Sequence, residues 1–445
     1  MATGTFHPAR LRGVASVPPA KSEAHRALLL AALGRLPCRL HGFTPPLCDD
    51  TQAMINGIVA LGATVSQEED TLTVLPVPDG RTRPFPVECD VHACAAALRM
   101  LIPVFLARGQ AVRFTMDDGL YSRPLDAFAP LIQKLNATLI RTPSASGRRA
   151  TVELSGLMPA GDYEIDGSLS SQFASGLLIA LAHARTTAGL SAPATLTIKP
   201  PIVSRPYLDM TLVQMKRFGA EYEEHGGGLF ALSPITQSGP GDVTVSPDWS
   251  QAAVLLCADA IGSGVILSGL RSPKAGETSL QGDARIMSIL REMGLRIRNL
   301  PEGLMVCCPS HAGLSPIEMD CSDIPDLAPI LALTLTQANG ISTLTGINRL
   351  RVKECDRLAA TQTLLTRLGA RVEVSGDDDT LRIWGPAPLT GGFTADSQSD
   401  HRMVMLLSVA ALKCCEPITV NGIESITKSW PGYPATYQSL GGKIT

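Results

Sequence analysis

Eight short stretches of the chain carry charged or hydroxyl side chains of the kinds that bind anions. The densest is LRVKECDRL, which sets Lys353, Glu354 and Arg357 between apolar segments. AKSEAHR holds Lys21, Ser22 and Arg26, and GLYSRPLD holds Arg123. DGSLSSQF holds Ser170, Ser171 and Gln172, and VSRPYLD holds Ser204, Arg205 and Tyr207. SDIPDLA holds Asp326, DHRM holds His401 and Arg402, and ITKSWPGY holds Lys428. Arginine suits the planar, paired oxygens of carboxylates and phosphates, whereas lysine is a compact point charge that also donates protons. If Lys353 opens a helix, Arg357 lies one turn later on the same face, and two like charges so spaced cost an isolated helix roughly 0.2–0.5 kcal/mol. An anion bound between them removes that cost. Surface ion pairing through Glu354 and Asp356 is the plainer explanation of this stretch, but it does not account for the other seven.

Composition says what such anions are not. With 445 residues, 45% hydrophobic and 18% charged, the chain can bury large cores in two domains or more. A formal net charge of −3 gives no general attraction to nucleic acid or anionic lipid, so an anion site must come from local clustering of Arg and Lys. Aromatic residues make up only 4% and do not interleave with basic ones, which argues further against nucleic acid. The phosphate-binding G-x-x-x-x-G-K-[ST] loop, a strand-to-helix G-x-G-x-x-G and the nucleophile elbow G-x-S-x-G are missing from the sequence. Eleven cysteines, with Cys307–Cys308 and Cys414–Cys415 adjacent and no C-x-x-C, read as small buried hydrophobes and not as a zinc site. The N-terminal stretch lacks an apolar signal core, and the longest apolar runs are too short to span a bilayer. A soluble, cytoplasmic protein is expected.

The elements that must position these residues recur six times. Each repeat has an amphipathic helix ending in Leu-Gly-Ala or a close variant, followed by strand, turn and strand, as in LLTRLGARVEVSGDDDTLRIWG. The helix ends fall at Gly62, Asn136, Gly219, Gly294, Gly369 and Gly441, a period of roughly 75 residues. Gly or Asn is expected there because a helix commonly ends on a left-handed residue. A second helix in each repeat is apolar nearly all round, as in SSQFASGLLIALAHA and DHRMVMLLSVAALK, and should be buried. Its polar residues gather at its N-terminal end, where free N–H groups and the helix dipole favour anions. Six repeats suggest two α/β lobes of three repeats each, with a ligand cleft between them. SVPPAK and GDVTVSPDWS are the expected crossings, giving one lobe of residues 1–20 plus 246–445 and another of 21–245.

Taken in order, KSEAHRALLLAAL, DGSLSSQF, SRPYLDMTL, QGDARI, IPDLAPILA, LRVKECDRL, DHRM and TKSWPGY resemble the 5-enolpyruvylshikimate-3-phosphate synthases (3-phosphoshikimate 1-carboxyvinyltransferases) of the enolpyruvyl transferase family. The resemblance runs nearly end to end. UDP-N-acetylglucosamine enolpyruvyl transferases share the repeat but are less similar at DGSLSSQF, RVKECDR and DHRM. The resemblance implies an α/β fold of two lobes, each of three βαβαββ repeats around buried helices, closing on an active site in the interdomain cleft. It implies transfer of the enolpyruvyl group of phosphoenolpyruvate to the 5-hydroxyl of shikimate 3-phosphate, with release of phosphate, by a monomer without metal or organic cofactor. Carried over by position, Ser170, Ser171 and Ser204 meet the shikimate phosphate. Ser22, Arg26, Gln172, Tyr207, Asp326 and Lys353 meet the ring. Lys21, Arg123, Gln172, Arg357, Arg402 and Lys428 meet phosphoenolpyruvate. The acid and base roles stay open among Lys21, Asp326 and Glu354.

One loop departs from the family pattern. Where the family carries Asn-x-Gly-Thr-x-x-Arg, this chain reads ACAAALR, Ala93 to Arg99. Arg99 is kept, Ala95 stands for the Gly and Ala96 for the Thr. A methyl group at Ala95 intrudes where bare backbone normally approaches the ligand. The expectation is a tighter phosphoenolpyruvate pocket with reduced sensitivity to glyphosate, the inhibitor that occupies it. Two other functions fit the altered loop: an enolpyruvyl transferase for another acceptor alcohol, and a non-catalytic paralogue that binds an anion.

Overall fold

Strand and helix periodicities set the architecture. Ala150–Ser155 and Ala194–Lys199 alternate buried and half-buried residues along their length, as strands with one covered face do. His401–Ala411 is buried at every position and Ser171–Ala182 at nearly every one. Asp49–Leu61, Arg205–Arg217 and Arg357–Arg367 are covered on one side only. The computed structural model describes residues 2–78, 85–145, 147–184, 192–233, 239–272, 279–307 and 313–445. The chain divides into two units, Met1–Ala20 with Pro247–Thr445, and Lys21–Ser246.

In the unit Lys21–Ser246, Val87–His92 runs parallel to Val112–Met116, with the buried helix Ala95–Arg108 between them in sequence. Val112–Met116 pairs antiparallel with Ala150–Ser155, and that strand with Thr138–Thr142. The next repeat has the same plan, built from Asp162–Asp166, Ala194–Lys199, Leu229–Ser233 and Glu221–His225. The third sheet holds Cys38–His41, Thr71–Leu75 and Thr64–Glu68, and its parallel edge strand, Asp242–Thr244, arrives from the far end of the unit.

The other unit is built alike. Glu318–Asp320, Gly340–Thr345, Thr380–Gly385 and Arg371–Val374 make one continuous repeat. The sheet of Gly264–Ser268, Gly303–Cys307 and Arg296–Leu300 takes its parallel edge strand, Arg12–Ser16, from the N-terminal segment. Phe393–Asp396 pairs with Ile418–Asn421, and here Thr3–Phe6 joins antiparallel. The hairpin expected after Gly441 is replaced by backbone bonds from residues 443–445 to Thr5 and His7.

All six expected helix ends are left-handed: Gly62, Asn136, Gly219, Gly294, Gly369 and Gly441 have φ of 110°, 49°, 86°, 89°, 95° and 93°. Gly176 marks a close helix crossing, since a Cβ there would lie 2.7 Å from Met100 Cα. Among the described residues no cysteine is in a disulfide, and most are buried although Cys415 is exposed; Cys308 lies outside the described residues. Among them too, no helix is long and apolar enough to cross a membrane.

Candidate active site

In the unit Lys21–Ser246 the N-terminal ends of the buried helices are tied together by arginines. Arg99, buried in the helix Ala95–Arg108, donates to Gln172 Oε1 at 3.1 Å and to Pro124 O at 3.1 Å, and stacks 4.7 Å over Phe173. It thereby links Ala95, Gln172 and the backbone beside Arg123. Ser170 caps the helix Ser171–Ala182 by accepting from Gln172 N–H, and Ser171 is buried behind it. Arg26 donates to Ser22 O, Thr211 Oγ1, Ser175 Oγ and Tyr207 O at 2.6, 2.7, 3.1 and 2.9 Å. Its guanidinium is thus committed to protein groups, and burial draws its pKa down to about 10. It fastens Ser22 and Tyr207 to the same helix that carries Ser170. Ser204 stands just before the helix Arg205–Arg217 with φ of 54°, a left-handed backbone that is strained for a serine.

Lys21 opens the helix Lys21–Leu33 and pairs with Asp50 Oδ2 at 2.7 Å. Asp50 is buried in the first turn of Asp49–Leu61. The His25 ring donates from Nε2 to Asp50 O at 2.9 Å, and burial takes its pKa down to about 4, so it is neutral near pH 7. His25 therefore packs and positions Asp50. The sequence reading missed Asp50, although two acids at a helix start were a visible signal.

The other unit carries a denser cluster, and here one expectation is corrected. Lys353 does not open a helix. It follows the 3-10 turn Asn348–Val352 in extended conformation, and the helix begins at Arg357 with Asp356 as its cap. The like-charge cost therefore does not arise, because carboxylates separate the cations. Asp326 Oδ1 accepts from Lys353 at 3.1 Å and from Arg357 at 2.9 Å, and Asp326 Oδ2 lies 3.9 Å from Arg402. Glu354 accepts from Arg357 at 2.7 Å and lies 3.8 Å from Lys428. Asp400, fully buried, accepts from Arg357 Nε at 2.7 Å and caps the helix His401–Ala411 through Arg402 N–H. Arg402 donates to Ser250 O at 2.9 Å, at the start of Trp249–Ala260, so three helix N-termini meet around these groups.

Burial works against the charges of Asp326, Asp400, Arg357 and Lys353, and the partners outweigh it for the first three. Lys353, Arg357 and Arg402 hold Asp326 well below the usual carboxylate range, and Arg357 holds Asp400 low. Asp400, Glu354 and Asp326 in turn hold Arg357 well above its ordinary value. Lys353 goes the other way: burial lowers its pKa although Asp326 pulls it back up. A lysine eased toward proton release beside an ionised carboxylate is suited to acid–base work. Asp400 was also missed by the sequence reading; as the residue before His401 in DHRM it had the look of a helix cap.

Each unit thus gathers donors suited to oxyanions, and among the described residues no His, Cys, Asp and Glu cluster forms a metal-binding group. Solved structures with the same fold include EPSP synthases and an enolpyruvyl transferase. An EPSP synthase from Acinetobacter baumannii matches with a TM-score of 0.76 at 22% identity, covering 100% of both chains. The enolpyruvyl transferase NikO from Streptomyces tendae matches with 0.72 at 20% identity, covering 100% of this chain and 98% of that one. Such likenesses show the fold. Sequence comparison is narrower. The family model for EPSP synthase (3-phosphoshikimate 1-carboxyvinyltransferase) matches residues 6–437. A 3-phosphoshikimate 1-carboxyvinyltransferase of Clostridium botulinum (strain Eklund 17B / Type B) is 31% identical over 100% of this chain and 98% of its own length. One from Laribacter hongkongensis is 32% identical over 97% of each. The chain belongs to the EPSP synthase family.

Proposed function

We propose that the protein transfers the enolpyruvyl group of phosphoenolpyruvate to the 5-hydroxyl of shikimate 3-phosphate and releases phosphate, in aromatic amino-acid (chorismate) biosynthesis. The observation that carries this reading is the cluster of Lys353, Arg357, Arg402 and Lys428 around Asp326 and Glu354, in a chain of this family. Each substrate brings a phosphate of about −1.5 to −2 charges and a carboxylate, which matches many cations and helix N-termini. Phosphoenolpyruvate falls to Lys21, Ala95, Arg123, Gln172, Arg357, Arg402 and Lys428. Shikimate 3-phosphate falls to Ser22, Ser170, Ser171, Gln172, Ser204, Tyr207 and Lys353, with Arg26 holding Ser22 and Tyr207 in place.

The chemistry has two halves. In addition, the acceptor hydroxyl loses its proton and bonds to C2 of phosphoenolpyruvate, while the C3 methylene gains a proton. In elimination the methyl group so formed gives a proton back and phosphate leaves from C2. Each half needs one acid and one base. Asp326, ionised and beside Lys353, is suited to taking protons, and Lys21 and Glu354 complete the set. A coupled phosphate-release assay with both substrates tests the reading, and turnover is expected. Turnover with a different alcohol alone replaces the acceptor, and binding without turnover removes the enzyme. A monomeric, cytoplasmic protein belongs to the same proposal.

Ala95 supports a specific corollary. It is the first residue of the helix Ala95–Arg108 and is buried, so its methyl group occupies the end of the helix where N–H groups face a ligand. Glyphosate should inhibit the wild-type chain weakly, and Ala95→Gly should lower its inhibition constant by about tenfold, the effect of roughly 1.4 kcal/mol. Equal inhibition constants for the two proteins would count against it.

A further inference from the structure

One buried acid beside this site is left without a task. Asp283, in the stretch QGDARI, lies in the 3-10 turn Gly282–Arg285 and is 1% exposed. Its Oδ2 accepts from Ser250 Oγ. Its Oδ1 is equally buried and has no hydrogen-bond partner among the described residues. The charged and titratable groups that face it are Asp326, Arg402, Asp248 and Cys321. A buried carboxyl with an unmet oxygen costs folding free energy, so packing alone does not account for it.

The same serine reaches the anion site. Ser250 donates its hydroxyl to Asp283 and, through its carbonyl, accepts from Arg402 Nη1 at 2.9 Å. The segment is clamped on both sides. Gln281 accepts from Trp249 N–H and donates to Pro247 O, each at 2.9 Å, and Asp248 caps the helix through the N–H groups of Ser250 and Gln251. Arg402 Nε is buried and has no hydrogen-bond partner among the described residues, so the arginine depends on few contacts for its aim.

We propose that Asp283 is a positioning residue that, through Ser250, fixes the guanidinium of Arg402 for the anionic reactant. The proposal rests on the reading that Arg402 binds phosphoenolpyruvate. Burial, and then Asp326, lift the Asp283 carboxyl to about 6, so it carries its charge at neutral pH and loses it in mild acid.

The test is calorimetric titration of the full chain with phosphoenolpyruvate alone and with shikimate 3-phosphate alone, alongside steady-state kinetics with both substrates. Ser250→Ala and Asp283→Asn should each weaken phosphoenolpyruvate about tenfold and raise its KM more than they lower kcat. Affinity for shikimate 3-phosphate should stay within about twofold. Ser250→Thr keeps the hydroxyl and should restore near wild-type affinity. Phosphoenolpyruvate affinities within twofold of wild type in both Ser250→Ala and Asp283→Asn overturn the proposal, as do lowered melting temperatures with affinity unchanged. A wild-type chain that binds phosphoenolpyruvate but forms no product sinks the transferase reading, while the same affinities still decide the role of Asp283. A wild-type chain that binds none overturns both.

Discussion

Arg357→Ala should cost the unit that contains it about 3–5 kcal/mol of folding stability, the usual effect of removing one partner from a buried ion pair. Arg357 is 1% exposed and bonds three carboxylates, Asp326, Glu354 and Asp400. Alanine leaves Asp400 buried with its principal cation gone. Arg357→Lys keeps one charge but cannot reach three acceptors in a fixed planar fork, so it should fold and still lose most activity. Chemical denaturation of variant and wild type at several pH values checks the argument, because the contribution of Asp400 to the pH dependence changes sign. In the wild type, Asp326 and Asp400 are depressed below the ordinary carboxylate value of 3.8. Their stabilisation is present above that value and is lost as pH falls through the folded-state pKa. In Arg357→Ala, burial and Glu354 push Asp400 upward with Arg357 no longer opposing them. Relative to wild type, the variant should then gain stability as pH falls from 7 toward about 5. Equal pH profiles for the two proteins would remove the buried network from the account.

Much of this was legible in the sequence, for physical reasons. The six left-handed helix ends could be read because Gly and Asn take that conformation at low cost, and the repeat is visible through them. The inner helices could be read because burial on all sides leaves no polar stripe. The edge strands Arg12–Ser16 and Asp242–Thr244 were harder to place, since each completes a sheet whose other strands lie far away in sequence. At the site, the cations could be read because buried charge is uncommon and stands out against apolar helices. Asp326 and Glu354 were legible with them, but Asp50, Asp283 and Asp400 were not, because they look like ordinary capping or turn residues until the fold brings them to a cation or a hydroxyl. The error at Lys353 has the same origin. Its neighbours suggested a helix, but the bonds that Asp326 accepts from Lys353 and that Asp356 accepts from Ala359 N–H hold the segment extended up to Arg357.

Lys21→Met should reduce kcat by roughly 10²–10⁴, the range for loss of a general acid or base, while changing stability far less than Arg357→Ala does. Lys21 is partly exposed and paired with Asp50 at 2.7 Å. Loss of that pair leaves a buried carboxylate with one charged contact fewer, worth about 1–2 kcal/mol. Asp50→Asn separates the two roles. It keeps Lys21 but removes the carboxylate that aims it, so kcat should fall by a smaller factor, about tenfold. In the double variant, Lys21→Met with Asp50→Asn, a neutral amide replaces the charge that has lost Lys21. Stability should then return most of the way to wild type with no recovery of kcat, a non-additive pattern expected of residues in direct contact. Single-turnover kinetics and thermal melts on the four proteins give both quantities. If Lys21→Met turns over within tenfold of wild type, the acid–base work falls to Asp326, Glu354 and Lys353, all in one unit, and Lys21 is left as a binding charge.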